Sequence, residues 1–126
     1  MPMLDAGDLS LCYDVSGETR ETLVLVHAFP VSRTMWKPQV EALAPMRRVV
    51  AYDCRGFGQS DAPSSEEAYS QAQSVDDLSA VLEVTSPNGA VICGLSMGGN
   101  IALELALSHP DQINGLILAS TGSGSD

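Results

Sequence analysis

Gly94-Leu95-Ser96-Met97-Gly98-Gly99 is the stretch of this 126-residue sequence that decides the fold. The apolar run Ala90 to Cys93 precedes it, and a helix-like run from Asn100 to Ser108 follows it. A strand, a sharp glycine-flanked turn around a serine, and a helix make up the pattern G-x-S-x-G. The pattern predicts that Ser96 has a strained backbone, with its hydroxyl group projecting above the edge of a sheet.

Gly94 and Gly98 are the predicted elbow-turn positions, because a side chain at either one would collide across the tight turn. The helix that starts after Ser96 directs its first N–H groups to the place where an oxyanion would form. Ser96 is therefore the candidate catalytic residue of the chain.

Apolar runs before and after this turn predict alternating strands and helices. Thr22 to His27 is apolar almost throughout, which is typical of a strand buried on both faces of a parallel sheet. Met3 to Ala6 and Leu9 to Val15 predict a hairpin that turns at Gly7-Asp8. The other predicted strands are Arg48 to Asp53, Ala90 to Cys93 and Ile113 to Thr121, and the predicted helices are Trp36 to Leu43, Ser74 to Val84 and Asn100 to Ser108.

Because strands alternate with helices, the fold class is α/β, with an open, mostly parallel sheet and flanking helices. We expect residues 1–126 to form a single partial core domain. Ser74 with Asp77 fits a helix cap, and Ser64 to Ser70 is polar enough for an exposed loop. Ligands bind such sheets at the C-terminal ends of the strands, which is where the sequence places His27, Asp53, Ser96 and Thr121.

The composition excludes several classes of partner. The net charge of −10 argues against nucleic acid and anionic membranes. No apolar run approaches the roughly 20 residues of a membrane span, and the N-terminus lacks a signal-peptide pattern. Cys12, Cys54 and Cys93 have no metal-ligand spacing and fit a reducing compartment. We expect a cytoplasmic protein with no cofactor and no metal.

Two further motifs carry a family resemblance. His27-Ala28-Phe29-Pro30 resembles the His-Gly-x-Pro oxyanion loop of α/β-hydrolase-fold proteins, with Ala28 where glycine is usual. Asp53 to Asp61 resembles the D-x-R-G-x-G-x-S loop of the same proteins. With the turn at Ser96, three motifs occur in the family's order. The sequence is identified as a member of this superfamily. In the particular residues of these motifs it is similar to enol-lactonase-like and carboxylesterase-like serine hydrolases.

The resemblance implies that Ser96 is the nucleophile and that the backbone N–H groups of Phe29 and Met97 form the oxyanion hole. Relatives that open epoxides or remove halogens have aspartate at this turn. Serine therefore implies hydrolysis of a small-molecule ester, lactone or thioester through an acyl-enzyme. Asp53, Asp61 and Arg55 are interpreted as residues that structure the loop.

The family's triad has the order serine, acid, histidine. That order implies that the acid and the histidine lie beyond residue 126, since neither Thr121 nor the tail residue Asp126 suits the role of the acid. His109 is about 18 Å from the turn along a helix. His27 is expected to be structural, and its use as a surrogate base stays open. We therefore expect an N-terminal half, truncated after its sixth strand.

Two alternative functions stay open at this point. One is a non-catalytic half-domain that associates with itself or with a completing chain through the unpaired edge of Ile113 to Thr121. The other is cofactor-free haloperoxidase-type chemistry, which uses the same constellation in the family.

Overall fold

The chain folds around one sheet with the strand order β1-β2-β4-β3-β5-β6, in a computed structural model that describes residues 2–120. Strands β3 to β6 run parallel, whereas β2 is antiparallel to both β1 and β4. The fold-class prediction and the N-terminal hairpin are therefore confirmed. The strands are β1 (Met3–Asp5), β2 (Ser10–Ser16), β3 (Thr22–Val26), β4 (Arg48–Tyr52), β5 (Ala90–Leu95) and β6 (Ile113–Ala119).

Helices cover the two faces of this sheet unequally. On one face, the N-terminal hairpin and the two longer helices close the main apolar cluster. On the other face, the shortest helix and the turn before it pack on a smaller cluster centred on Trp36. The helices are α1 (Lys37–Leu43), α2 (Gln71–Thr85) and α3 (Met97–Ser108), and short 3-10 turns occupy Arg33–Trp36, Glu66–Tyr69 and Pro110–Gln112.

Strand β3 is the centre of the fold, and all five of its residues are buried. Its alternate side chains enter different clusters: Val24 and Val26 pack on the α3 side, while Leu23 and Leu25 pack on the α1 side. A strand with helices on both faces has no polar side, which explains why its sequence is apolar without alternation.

Several boundaries differ from the sequence prediction, and helix α3, for example, begins at Met97 and not at Asn100. Helix α2 begins at Gln71 and not at Ser74, because Ser70 and Gln73 form a reciprocal capping box with N–H···O distances of 3.2 and 3.0 Å. The predicted loop Ser64 to Ser70 contains the 3-10 turn Glu66–Tyr69. Strand β6 ends at Ala119, and Thr121 and Asp126 lie outside the described residues.

Candidate active site

Ser96 occupies the turn between β5 and α3 with φ of 54° and ψ of −110°. This backbone conformation costs a residue with a side chain about 1–3 kcal/mol. Two hydrogen bonds hold the turn: the Ser96 N–H donates to the Ala119 carbonyl at 3.0 Å, and the Asn100 N–H donates to the Ser96 carbonyl at 3.1 Å. Ser96 is exposed. The predicted strained turn is therefore confirmed, whereas a catalytic role of Ser96 stays a prediction.

The two elbow glycines allow backbone to approach backbone. A Cβ atom on Gly94 would lie 2.6 Å from the Gly99 nitrogen, across the turn. A Cβ atom on Gly98 would lie 2.6 Å from the His27 carbonyl oxygen, at the end of β3. Carbon atoms cannot come so close without displacing the main chain, so the start of α3 rests directly on the end of β3.

This contact brings the two predicted oxyanion donors to one place. Phe29 lies three residues beyond the end of β3 that Gly98 touches, and Met97 is the first residue of α3. The side chains of Phe29 and Met97 line the same cleft. Ala28 is absent from the residues with positive φ, so the loop accepts a methyl group where the family usually has glycine.

His27 is a structural residue in this site. Its ring is fully buried, and its Nε2 accepts a 2.9 Å hydrogen bond from the Cys54 N–H. Because that backbone group can only donate, Nδ1 carries the proton and donates to the Ala28 carbonyl at 2.8 Å. Burial lowers the pKa of His27. With both nitrogens engaged, His27 does not fit the role of surrogate base, and the structural interpretation is confirmed.

His109 does not approach the turn either. It follows the last residue of α3, and its Nδ1 lies 2.9 Å from the Ser108 hydroxyl. A helix of 12 residues rises about 18 Å from one end to the other.

Asp53 ties the two loops beside the turn together. Its fully buried carboxylate accepts the Arg33 N–H at 2.7 Å, the Gln59 N–H at 2.9 Å and the Arg33 guanidinium at 2.6 Å. Arg33 also reaches Asp14 on β2 at 2.6 Å. A Cβ atom on Gly58 would lie 2.5 Å from the Asp53 carboxylate, which explains the glycine at that position. Asp53 therefore structures the loop, as the sequence predicts.

The remaining polar residues of this loop also bind protein groups. Arg55 forms a buried bidentate pair with Asp77, at 2.6 and 2.9 Å, and donates to the Ala68 carbonyl at 2.6 Å. Asp61 accepts the Ser10 N–H at 2.8 Å. The loop-structuring interpretation of Arg55 and Asp61 is confirmed, and Arg55 is committed to Asp77 and the loop.

Sequence reasoning missed two partners in this network. Nothing in the sequence near Arg33 indicates that its partners are Asp14 on β2 and Asp53 after β4. The Ser60 hydroxyl donates to the Asp53 carbonyl at 2.6 Å and accepts the Cys12 N–H at 2.8 Å. The serine that ends the D-x-R-G-x-G-x-S pattern was a signal that could have identified this bond.

Within residues 2–120, no three His, Cys, Asp or Glu side chains are grouped so that they could hold a metal ion. Burial raises the pKa of Cys54 to about 12, so its thiol stays protonated at neutral pH. No helix in the same residues is long and apolar enough to cross a membrane.

Comparison with known proteins agrees with this geometry. The profile of the alpha/beta hydrolase fold matches residues 21–126. Since the match covers most of the chain, the protein belongs to the alpha/beta hydrolase fold family.

Individual relatives differ in activity. The chain is 31% identical over 111 residues to the putative 2-succinyl-6-hydroxy-2,4-cyclohexadiene-1-carboxylate synthase of Bacillus subtilis, covering 88% of this chain and 40% of that protein. It is 35% identical over 117 residues to epoxide hydrolase 3 of Xenopus tropicalis, covering 92% of this chain and 32% of that protein. The crystal structure of the enol-lactonase from Burkholderia xenovorans LB400 superposes with a TM-score of 0.88 at 34% identity, covering 95% of this chain and 46% of the enol-lactonase chain. The chain thus spans less than half the length of each.

The Gly98 contact yields a stability prediction. Gly98→Ala is expected to lower the free energy of unfolding by about 1–3 kcal/mol or more, because the new methyl group meets main chain that cannot yield. Gly115→Ala on β6 is the matched control, since its Cβ atom would meet the Val91 side chain at an ordinary 3.4 Å. Urea denaturation measures both, and equal stability of the two variants would contradict this packing.

The buried ring of His27 yields a pH prediction. A folded-state pKa below the unfolded value means that the native protein binds fewer protons, so stability rises with pH and is fully present above about 6.5. It is lost as pH falls from 6.5 through the folded pKa, with a slope of at most about 1.4 kcal/mol per pH unit. Nitrogen-15 NMR of the ring should show the neutral Nδ1–H form at pH 6.5. Half-protonation at that pH would disprove the assignment.

Proposed function

We propose that the protein acts as a serine hydrolase of small esters or lactones, with Ser96 as its nucleophile. The observation that carries the proposal is the left-handed backbone of Ser96 at the end of β5, next to the N-terminus of α3 and the Phe29 loop. This arrangement places a hydroxyl group where N–H groups can stabilise a developing oxyanion.

In the proposed reaction the Ser96 Oγ attacks the carbonyl carbon of the substrate and gives up its proton to a base. The carbonyl oxygen becomes an oxyanion that accepts hydrogen bonds from the N–H groups of Met97 and Phe29. The bond to the leaving alcohol then breaks as the alcohol oxygen takes a proton, which leaves an ester on Ser96. Water hydrolyses this ester and regenerates the hydroxyl group.

The proposal requires a base from outside the 126 residues, because His27 and His109 are engaged elsewhere. A serine hydroxyl is a weak nucleophile without a base. The relatives are more than twice as long as this chain, which leaves room for an acid and a histidine. On this proposal residues 1–126 are part of a single catalytic core domain.

The identity of the nucleophile favours acyl transfer over epoxide opening. The family resemblance implies that epoxide hydrolases of this fold use aspartate at the elbow, whereas this chain has serine. The similarity to an enol-lactonase supports a lactone or ester as substrate, and no bound group is needed for that chemistry.

A fluorophosphonate probe tests the proposal. We expect it to label Ser96 rapidly in a longer form of the protein that carries the proposed base, and at least tenfold more slowly in the 126-residue chain. Ser96→Ala should abolish labelling and ester hydrolysis, whereas Ser64→Ala in an exposed loop should change neither. The oxyanion hole and substrate binding together leave a residual rate of about 10³–10⁴ over water in a serine protease that lacks a triad member. Equally fast labelling of both lengths would refute the requirement for an external base.

A second candidate function is association through the edge of the sheet. In the described residues β6 pairs with β5 on one side only, and Ile117 on this strand is 50% exposed. Leu107 on the neighbouring α3 is 72% exposed. Unpaired strands with apolar side chains pair readily with other chains.

This candidate predicts self-association of the 126-residue chain. Light scattering after size-exclusion chromatography should show a dimer or a larger species, and Ile117→Lys should shift it towards monomer because a charge on an edge strand opposes pairing. Met46→Lys, at another exposed apolar position, is the control. A monomer at all concentrations tested would exclude association through β6.

A further inference from the structure

An apolar cleft of about 500 Å³ opens beside the Ser96 turn. Aromatic rings and a thioether make up most of its surface, and the volume is in the range of sites that hold small molecules. The lining residues are Phe29, Cys54, Arg55, Gly56, Phe57, Tyr69, Ser74 and Met97.

The polar ends of the two largest polar side chains around the cleft, Arg55 and Tyr69, are already engaged by the protein. All three nitrogen atoms of the Arg55 guanidinium donate within the fold, to Asp77 and to the Ala68 carbonyl. The Tyr69 hydroxyl donates to the Pro63 carbonyl at 2.6 Å. Ser74 adds a neutral hydroxyl group. A charged ligand group would therefore find no opposite charge here, and an apolar group fits the lining better.

The walls of the cleft are held by the loop contacts described above. The Phe57 ring packs edge-on against His27 at 5.3 Å and against Phe29 at 5.8 Å. The Tyr69 ring lies over Gly56, where a Cβ atom would come within 2.6 Å of Tyr69 Cε1. Arg55 holds the Tyr69 turn through the Ala68 carbonyl. These contacts hold the Phe57 and Tyr69 rings in place, so the two rings can limit the size of a ligand in the cleft.

The cleft is adjacent to the proposed chemistry. Phe29 and Met97, whose N–H groups would polarise the substrate carbonyl, also place their side chains on the cleft. A group bound there would therefore touch the same two residues that are proposed to hold the carbonyl. Phe29 is 69% exposed and Tyr69 is 42% exposed, so the cleft offers apolar surface that a substrate would cover.

We propose that this cleft binds the uncharged, apolar substituent of the ester or lactone, and that Phe57 and Tyr69 determine the length and bulk it accepts. The inference rests on the proposed hydrolase function and adds its substrate class. Each methylene group buried against these walls should raise kcat/KM about fourfold, since its transfer from water is worth about 0.8 kcal/mol.

Two ester series test the substrate role in the longer form of the protein that carries the proposed base. In p-nitrophenyl esters from acetate to hexanoate, or in acetates of alcohols of increasing length, kcat/KM should rise about fourfold per methylene until the cleft is full. Tyr69→Ala and Phe57→Ala should flatten this rise of kcat/KM with chain length. Met46→Ala, an exposed apolar residue outside the cleft, should leave the profile unchanged.

Binding is measured independently of turnover by NMR of carbon-13 methionine methyl groups. Titration with 1-hexanol should shift the Met97 signal, assigned by its loss in Met97→Leu, and leave the Met46 signal in place. Tyr69→Ala should weaken this binding at least tenfold. The same titration with hexylammonium or hexanoate should give weaker binding, because each adds a charge that the cleft cannot pair.

The outcomes separate this inference from the hydrolase proposal. Suppose that hydrolysis depends on Ser96 but kcat/KM does not rise with chain length, or rises equally in Tyr69→Ala and Phe57→Ala. Either result would overturn the proposed role of the cleft and leave the hydrolase proposal standing. Hexanol binding at Met97 without any hydrolysis that depends on Ser96 would overturn the hydrolase and the cleft's substrate role with it. No shift of Met97 up to the solubility limit of hexanol would overturn the apolar site itself.

Discussion

The backbone contact between Gly98 and the end of β3 is the constraint on which the rest of this structure depends. A methyl group at this position would lie 2.6 Å from the His27 carbonyl oxygen, so only glycine lets α3 start so close to the sheet. Because α3 starts so close to the sheet, a single turn connects β5 to the helix. Ser96 takes the left-handed conformation that such a turn demands. The strain is local and is offset by the packing of α3 on the sheet.

A second set of interactions keeps the loops around Ser96 in place. The buried carboxylate of Asp53 would be costly if unpaired, but an arginine and two backbone N–H groups satisfy it. His27 adds a bond from the Phe29 loop to the Cys54 backbone. The loop after β3 and the loop after β4 thereby form one rigid rim. Rigid donors stabilise developing charge without reorganisation, which is the property an oxyanion site needs.

The sequence predicts what is local and misses what is distant. The turn at Ser96, the two-faced strand β3 and the role of Asp53 could be predicted, because glycine spacing and apolar runs report their own surroundings. The partner of Arg55 could not be predicted, because Asp77 lies 22 residues away on a helix whose orientation depends on tertiary packing. The predicted start of α2 was wrong for another reason. Ser70 and Ser74 both offer a cap, and the reciprocal bond of Gln73 decides in favour of Ser70.

The engagement of His27 determines how the proposed chemistry is divided along the chain. A histidine that fastens a loop must stay neutral with both nitrogens occupied, whereas a general base needs one nitrogen facing the nucleophile. The loop after β3 uses its histidine for the first purpose, since the Cys54 N–H occupies the lone pair that a base would need. Attack and charge stabilisation can therefore come from short motifs between residues 27 and 97. Proton transfer needs a separate group whose position does not depend on holding these loops.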